Sequence, residues 1–314
     1  MTTHNTKMGK IVCILLTVTL LLGSFSAPVY AQEGTMSIYA SYRIPTGSVR
    51  MTAHRGYSAV APENTLPAFR LAGEYGFWGA ECDTSPTADG VWIVMHDDTV
   101  DRTTDGEGKV GELTFDEIRA LTVDAGSRVE DYPGTRVPTL TEYLDVCAAF
   151  GMHPVIEIKP SAPVESLGSL AALLLARTEK DMFTIITFGR SHAARIKTLM
   201  PETPVFLLMS GDLNEDFDGA VRFCVGNGLD GLDFCCNWDE AHIRSVRDAG
   251  LRSMAWTVDS IETADKLYAW GVRDFTTNTL TSAKPSGTVW QQLLWLLRDV
   301  WYRITVWCTN AFGR

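Results

Sequence analysis

The run Pro154-Val155-Ile156-Glu157-Ile158-Lys159 reads as a short strand that carries two ions where a core strand would carry none. Side chains two apart on a strand share a face, so Glu157 and Lys159 point the same way. An inward ionic pair among Val and Ile suits a site better than a core, because an uncompensated buried charge is costly. Seven further apolar runs surround it, at 50–53, 77–82, 183–187, 205–208, 231–234, 252–257 and 274–277. Residues 91–95, after the turn Ala88-Asp89-Gly90, read as the return strand of a hairpin. Helical patterns lie between most of the runs: 66–75, with Asn64 or Thr65 as N-cap and Gly76 as its stop, then 115–121, 140–150, 192–200, 240–249 and 261–270. With the hairpin return set aside, eight strands alternate with helices over roughly 240 residues, which predicts an α/β fold, a (β/α)8 TIM barrel.

Barrel active sites lie at the C-terminal ends of the strands. His54, Asp83, Glu157 and Lys159 all fall at or just past such ends. Glu81-Cys82-Asp83 places two carboxylates on one face, an arrangement that is unfavourable unless a cation or donors compensate. Hard divalent cations prefer oxygen ligands, and Glu157 supplies a third carboxylate from the neighbouring strand. The expected cofactor is therefore one divalent cation, Ca2+ or Mg2+, on Glu81, Asp83 and Glu157. His54 and His96 suit acid–base work, since an unperturbed imidazole titrates at about 6.5. Arg55 offers a planar fork to phosphate oxygens and Lys159 a point charge. A metal seat, an anion clamp, an acid and a base together make the inventory of phosphate-ester chemistry. The other histidines (His4, His153, His192 and His242) lack this company: His4 falls in the leader, and the rest read as structural or surface residues.

The chain has 314 residues, 46% of them hydrophobic, enough for one well-filled core. Residues 1–31 read as a signal peptide: Lys7 and Lys10, an apolar stretch over 11–23, and Val29-Tyr30-Ala31 before the cleavage point. The apolar stretch is short of the about 20 residues that span a bilayer. Cleavage after Ala31 removes two lysines and no acid, leaving the mature chain two units more negative than the −11 of the whole. Such an acidic surface argues against a nucleic-acid partner. It leaves room for a phosphorylated small molecule, which only the local site must attract. The protein is therefore expected to be secreted or extracytoplasmic. Seven cysteines (Cys13, Cys82, Cys147, Cys224, Cys235, Cys236 and Cys308) show no disulfide framework and no Cys-x-x-Cys pair, and most read as buried free thiols. Over residues 286–314, Trp290, Leu294, Leu297, Trp301, Ile304 and Cys308 recur at helical spacing. This Trp-rich C-terminal helix either closes the barrel or lies at a membrane surface through residues 289–308, with its tryptophans at the headgroup level.

The motifs His54-Arg55-Gly56, Pro62-Glu63-Asn64-Thr65, Ala68-Phe69, Glu81-Cys82-Asp83, Thr87-x-Asp89-Gly90, His96-Asp97 and Arg102-Thr103-Thr104 resemble those of the glycerophosphodiester phosphodiesterase family. Val137-Pro138-Thr139-Leu140, Glu157-Ile158-Lys159 and Ala255-Trp256-Thr257-Val258 extend the resemblance, which covers residues 49–285. It implies a metal-dependent barrel that hydrolyses glycerophosphodiesters to an alcohol and glycerol 3-phosphate. Glu81, Asp83 and Glu157 would be the metal ligands, His54 and His96 the acid–base pair, Arg55 and Lys159 the phosphate contacts, and Trp256 the aromatic wall against the glycerol or the leaving group. The late strands depart from the family's pattern. Thr187-Phe188 stands where Ser-Phe is frequent, Thr257-Val258-Asp259 where Thr-Val-Asn is common, and Thr277-Asn278-Thr279-Leu280 where Thr-Asp-x-Pro is usual. These departures are expected to bear on substrate choice and to leave the metal and histidine positions alone.

Two other functions stay open at this point. One is phospholipase D-type cleavage of lysophospholipids or sphingomyelin, suggested by the leader and the Trp-rich tail. The other is a non-catalytic barrel that binds glycerol-phosphate polymers. For the two ends the expected outcome is an exported protein beginning at Gln32, read by intact mass, while liposome flotation with and without residues 286–314 decides between the two readings of the tail, weaker flotation on removal marking the membrane-surface helix. An uncleaved N-terminus would contradict export with cleavage, and equal flotation would end the membrane reading of the tail and leave the closing helix.

Overall fold

A computed structural model describes residues 41–42, 49–177, 182–211 and 216–282. The expected signal peptide (1–31) and Trp-rich helix (286–314) lie outside the described residues. The strands are β1 (Ser41–Tyr42), β2 (Arg50–Ala53), β3 (Gly79–Pro86), β4 (Trp92–Val94), β5 (His153–Ile158), β6 (Thr184–Thr187), β7 (Val205–Met209), β8 (Gly231–Cys235), β9 (Arg252–Trp256), β10 (Asp274–Thr277) and β11 (Thr281–Ser282). The helices are α1 (Leu66–Glu74), α2 (Phe115–Ala120), α3 (Leu140–Phe150), α4 (Leu167–Arg177), α5 (Arg190–Leu199), α6 (Phe217–Asn227), α7 (Glu240–Asp248) and α8 (Ile261–Ala269). Helices α4 and α6, not singled out from the sequence, complete the alternation.

β2, β3 and β5 to β10 pair in parallel, and the β2–β3 pairing closes the ring. This is the (β/α)8 barrel that the alternating runs predict. β4 joins β3 antiparallel as the return of the hairpin, while β1 and β11 form a separate short pair. β3 starts two residues later and runs four residues further than the apolar run 77–82 suggests. Phe77 leaves the ladder to pack on Tyr57, with ring centroids 5.3 Å apart. Thr84, Ser85 and Pro86 stay in the strand because they pair with Val94, Ile93 and Trp92.

Period-2 alternation sorts the side chains. Ala80 and Cys82 on β3, and Ile156 and Ile158 on β5, join the main core around the helices. Inside the barrel, Val155, Ile186, Phe206, Leu208 and Met254 form a small apolar layer with Trp78 and Trp256 against it. β4 serves two cores: Trp92 and Val94 face the main one, whereas Ile93 joins Met95, Val100, Val110, Ile118, Val123 and Val137 in a second cluster. That second cluster organises the excursion between the hairpin and α3.

Helix starts carry their own signals. Thr65 Oγ1 accepts the Ala68 N–H at the start of α1, and Thr114 with Glu117 and Thr139 with Glu142 form capping boxes on α2 and α3. Cys82, Cys147 and Cys224 are buried free thiols, and Cys235 and Cys236 are free and half-buried.

The turn after β2 allows only glycine at position 56. Its φ is +75°, and an added Cβ would lie 2.7 Å from the Ala68 carbonyl carbon. Gly56→Ala is therefore expected to destabilise the fold by about 1–3 kcal/mol, read as a lower urea midpoint. An unchanged midpoint would show that the turn relaxes at no cost.

Candidate active site

β3 and β5 bring the three carboxylates together. Asp83 and Glu157 are register partners, and Glu81 precedes Asp83 by two residues on the same face. One oxygen from each lies within 4.8 Å of the others, and all three side chains are buried. Burial pushes the Glu81 carboxyl well above its ordinary range, and the charges of Asp83 and Glu157 add to the effect. Burial, then Asp83, push Glu157 up to about 7 against the pull of Lys159. Burial also raises Asp83, but Lys159, Arg55 and His96 outweigh it and hold this carboxyl below the ordinary range. The cluster thus holds one firm anion and two carboxyls that resist ionisation.

Several neighbours offset the charge. Lys159 Nζ donates to Glu157 Oε1 at 2.8 Å and to Asp83 Oδ1 at 3.2 Å. Asn64 Nδ2 donates to Asp83 Oδ2 at 2.8 Å. The Arg55 backbone N–H donates to Glu81 Oε2 at 2.7 Å, from a left-handed residue with φ of +56°. Arg55 Nε lies 3.4 Å from Asp83 Oδ2, out of line for a hydrogen bond, while its Nη1 donates to Glu63 Oε1 at 3.0 Å. Both expected phosphate contacts, Arg55 and Lys159, are thus in the site and paired with its acids. Glu81 Oε1 is buried without a hydrogen-bond partner. The two raised carboxyls mark a cluster short of positive charge, and an all-oxygen set with an unmet acceptor fits one hard divalent cation.

The histidines flank this cluster, each held at Nδ1. His96 Nδ1 lies 2.6 Å from Asp97 Oδ1. Asp97 is clamped in turn by Arg102, whose Nε and Nη2 donate to it at 2.6 and 2.9 Å; these bonds, with the one to His96, hold the Asp97 carboxyl well below its ordinary range. Arg102 Nη2 also donates to Glu63 Oε1 at 2.7 Å, so Glu63 joins the two arginines across the mouth. His54 Nδ1 lies 2.8 Å from Asn278 Oδ1. Burial lowers the His54 pKa, and the Arg55 charge lowers it further. Trp256, half-buried at the end of β9, meets Phe188 edge-on with centroids 5.9 Å apart. The remaining described histidines serve structure. His192 Nε2 bonds the Ala162 carbonyl, His153 stacks on Trp78, and exposed His242 bonds Asp239.

The structure brings Glu81, Asp83, Glu157, Arg55, Lys159, His54 and His96 to one place. Glu63, Asp97 and Arg102, and Asn64 beyond its place as a candidate N-cap, carry no site role in the sequence analysis, although the family motifs contain all four. The late-strand departures are expected to leave the histidine positions alone, and the structure corrects this. Thr277 is the register partner of Ala53, so the next residue, Asn278, stands beside His54.

Residues 54–281 match the sequence model of the glycerophosphoryl diester phosphodiesterase family. The chain belongs to this family. A glycerophosphodiester phosphodiesterase of Caldanaerobacter subterraneus is 34% identical over 224 residues, covering 70% of this chain and 90% of the relative. One from Bacillus subtilis is 32% identical over 249 residues, covering 72% and 82%. Among solved structures, an Oleispira antarctica phosphodiesterase in complex with the product sn-glycerol-3-phosphate is 27% identical, with a TM-score of 0.67 over 73% of this chain and 93% of that one.

The raised Glu157 sets a pH dependence. An acid whose folded pKa exceeds its ordinary 4.5 supports folding below that value and loses the contribution as pH rises through about 7. In metal-free protein, Glu157→Gln removes the ionisation. It is expected to raise stability over wild type by on the order of 3 kcal/mol at pH 8 and by little at pH 5. Added Ca2+ should reverse the order at pH 8. Urea midpoints in EDTA and in Ca2+ read this, and a difference independent of pH would exclude ionisation of Glu157 as its cause.

Proposed function

We propose that this member of the family hydrolyses glycerophosphodiesters to an alcohol and glycerol 3-phosphate, using one divalent cation on Glu81, Asp83 and Glu157 and acid–base catalysis by His54 and His96. One observation carries the reading: three buried carboxylates converge within 4.8 Å, with Glu81 Oε1 unmet, next to two imidazoles each tied at Nδ1. The relatives' names support glycerophosphodiesters over lysophospholipids, sphingomyelin or a merely bound polymer, and the product in the Oleispira structure supports glycerol 3-phosphate as the fragment retained. Export rests on residues 1–31 alone, and contact with a membrane surface on residues 289–308 alone.

A bound Ca2+ or Mg2+ would polarise the phosphoryl group and offset charge that builds on its oxygens. Arg55 and Lys159 orient the phosphate as fork and point charge. His54, kept neutral by burial and Arg55, suits the base: it takes a proton at Nε2 from the nucleophile, either water or the 2-hydroxyl of the substrate's glycerol. His96, whose Nδ1 faces the ionised Asp97, suits the acid that protonates the departing alcohol. Phe188 and Trp256 form the aromatic wall against the glycerol or the leaving group.

With glycerophosphocholine as substrate, His54→Ala and His96→Ala are each expected to slow turnover roughly 10²–10⁴-fold, and EDTA to abolish it until Ca2+ or Mg2+ returns. Phosphorus NMR identifies the product. Near-normal activity in either variant would refute the acid–base assignment, and indifference to EDTA would refute the metal. A cyclic phosphate intermediate would select the 2-hydroxyl route.

A further inference from the structure

The acid–base reading uses the Nε2 side of His54 and leaves the groups behind Nδ1 without a role. Those groups form a chain of hydrogen bonds whose polarity is fixed at one end. Asp259 accepts the Asn278 backbone N–H on Oδ1 at 2.7 Å and the Asn278 Nδ2–H on Oδ2 at 2.7 Å. Thr277 Oγ1 donates to Asp259 Oδ1 at 3.0 Å. On its other side, the Asn278 amide oxygen receives Ser58 Oγ at 3.0 Å and lies 2.8 Å from His54 Nδ1. An ionised carboxylate can only accept, so the amide must turn its NH2 toward Asp259. Its oxygen then faces His54, and that oxygen also only accepts. The proton of neutral His54 must therefore sit on Nδ1, which leaves the Nε2 lone pair free to accept a proton.

We infer that Asp259, acting through Asn278, is a positioning device that fixes the tautomer and orientation of His54. The inference rests on the proposed role of His54 as the base. Neither residue touches the substrate in this scheme. Register places the device: His54 N–H bonds the Thr277 carbonyl at 2.9 Å and Val258 N–H bonds the Thr276 carbonyl at 2.9 Å, so the residues that follow β2, β9 and β10 meet at one point of the rim.

The polarity makes an unusual mutational prediction. In Asp259→Asn, an amide NH2 opposes the Asn278 NH2, donor against donor. Relief requires Asn278 to turn over, which presents its NH2 to His54 and favours the opposite tautomer. In Asn278→Asp, two carboxylates stand against each other. The double variant Asp259→Asn/Asn278→Asp restores donor to acceptor along the chain and keeps an oxygen against His54 Nδ1. Each single variant is expected to lower kcat roughly 10- to 100-fold with little change in KM, and the double variant to recover most of that loss. Nitrogen-15 NMR of the histidine rings in metal-free protein should show Nδ1 protonated in wild type and in the double variant, and Nε2 protonated in Asp259→Asn.

Losses in the double variant that equal the product of the singles would overturn the inference, as would a wild-type tautomer in Asp259→Asn. A loss of kcat in step with a lower melting temperature, unrecovered in the double variant, would reduce the pair to a structural role and overturn it too. His54→Ala separates the two proposals. If that variant is inactive while Asp259→Asn keeps wild-type kcat and tautomer, the positioning device alone falls. If His54→Ala is active, the acid–base reading falls, and the ring spectra still decide whether Asp259 sets the tautomer.

Discussion

Asp83 and Glu157 are held opposite each other by the parallel register of two adjacent barrel strands, with Glu81 two residues away on the same face. This confinement of like charge is the constraint around which the site is built. Backbone pairing cannot relax it without shifting a strand, and a one-residue shift would send every side chain to the other face. Compensation must come from the surroundings. Lys159 arrives on the strand of Glu157, Asn64 and Arg55 arrive from the turn after β2, and Glu81 is left with one oxygen unmet. The sharp, left-handed path through Arg55, Gly56 and Asn64 follows from the same need, because it aims a backbone N–H and a side-chain amide at the acids.

In the proposed scheme the two imidazoles share a residue type and differ in what stands behind them. His96 is backed by a carboxylate that a bidentate arginine keeps ionised. His54 is backed by a neutral amide and stands next to a guanidinium. Each partner fixes one ring nitrogen and leaves the other for the substrate side.

Much of this was legible in the sequence because barrel strands are short apolar runs and the site residues interrupt them at their ends. Glu157 and Lys159 stood out against Val155, Ile156 and Ile158. Asp83 was equally visible, yet the true extent of its strand was not: Thr84, Ser85 and Pro86 carry no apolar signal and stay in the sheet only because β4 returns to pair with them. Asn278 was visible only as a departure from a motif. Its contact with His54 depends on the first and last barrel strands closing in a particular register, which local pattern cannot show. Relative to the family's usual motifs, carboxylate and amide have changed places between positions 259 and 278. The two departures look independent in the chain and are joined in space by two hydrogen bonds.

The excursion that follows β4 has an apolar cluster of its own, built on Ile93, Met95, Val100, Val110, Ile118, Val123 and Val137. His54 sits on the barrel, whereas His96 and its clamp Arg102 sit on this excursion. Segments with separate cores tend to open separately, as distinct cooperative units. Warming would then part His96 from His54 while the barrel still stands. The working temperature of the protein would be set by the core of the excursion, and substitutions that improve packing around Val100 and Ile118 would extend its active range without touching the chemistry.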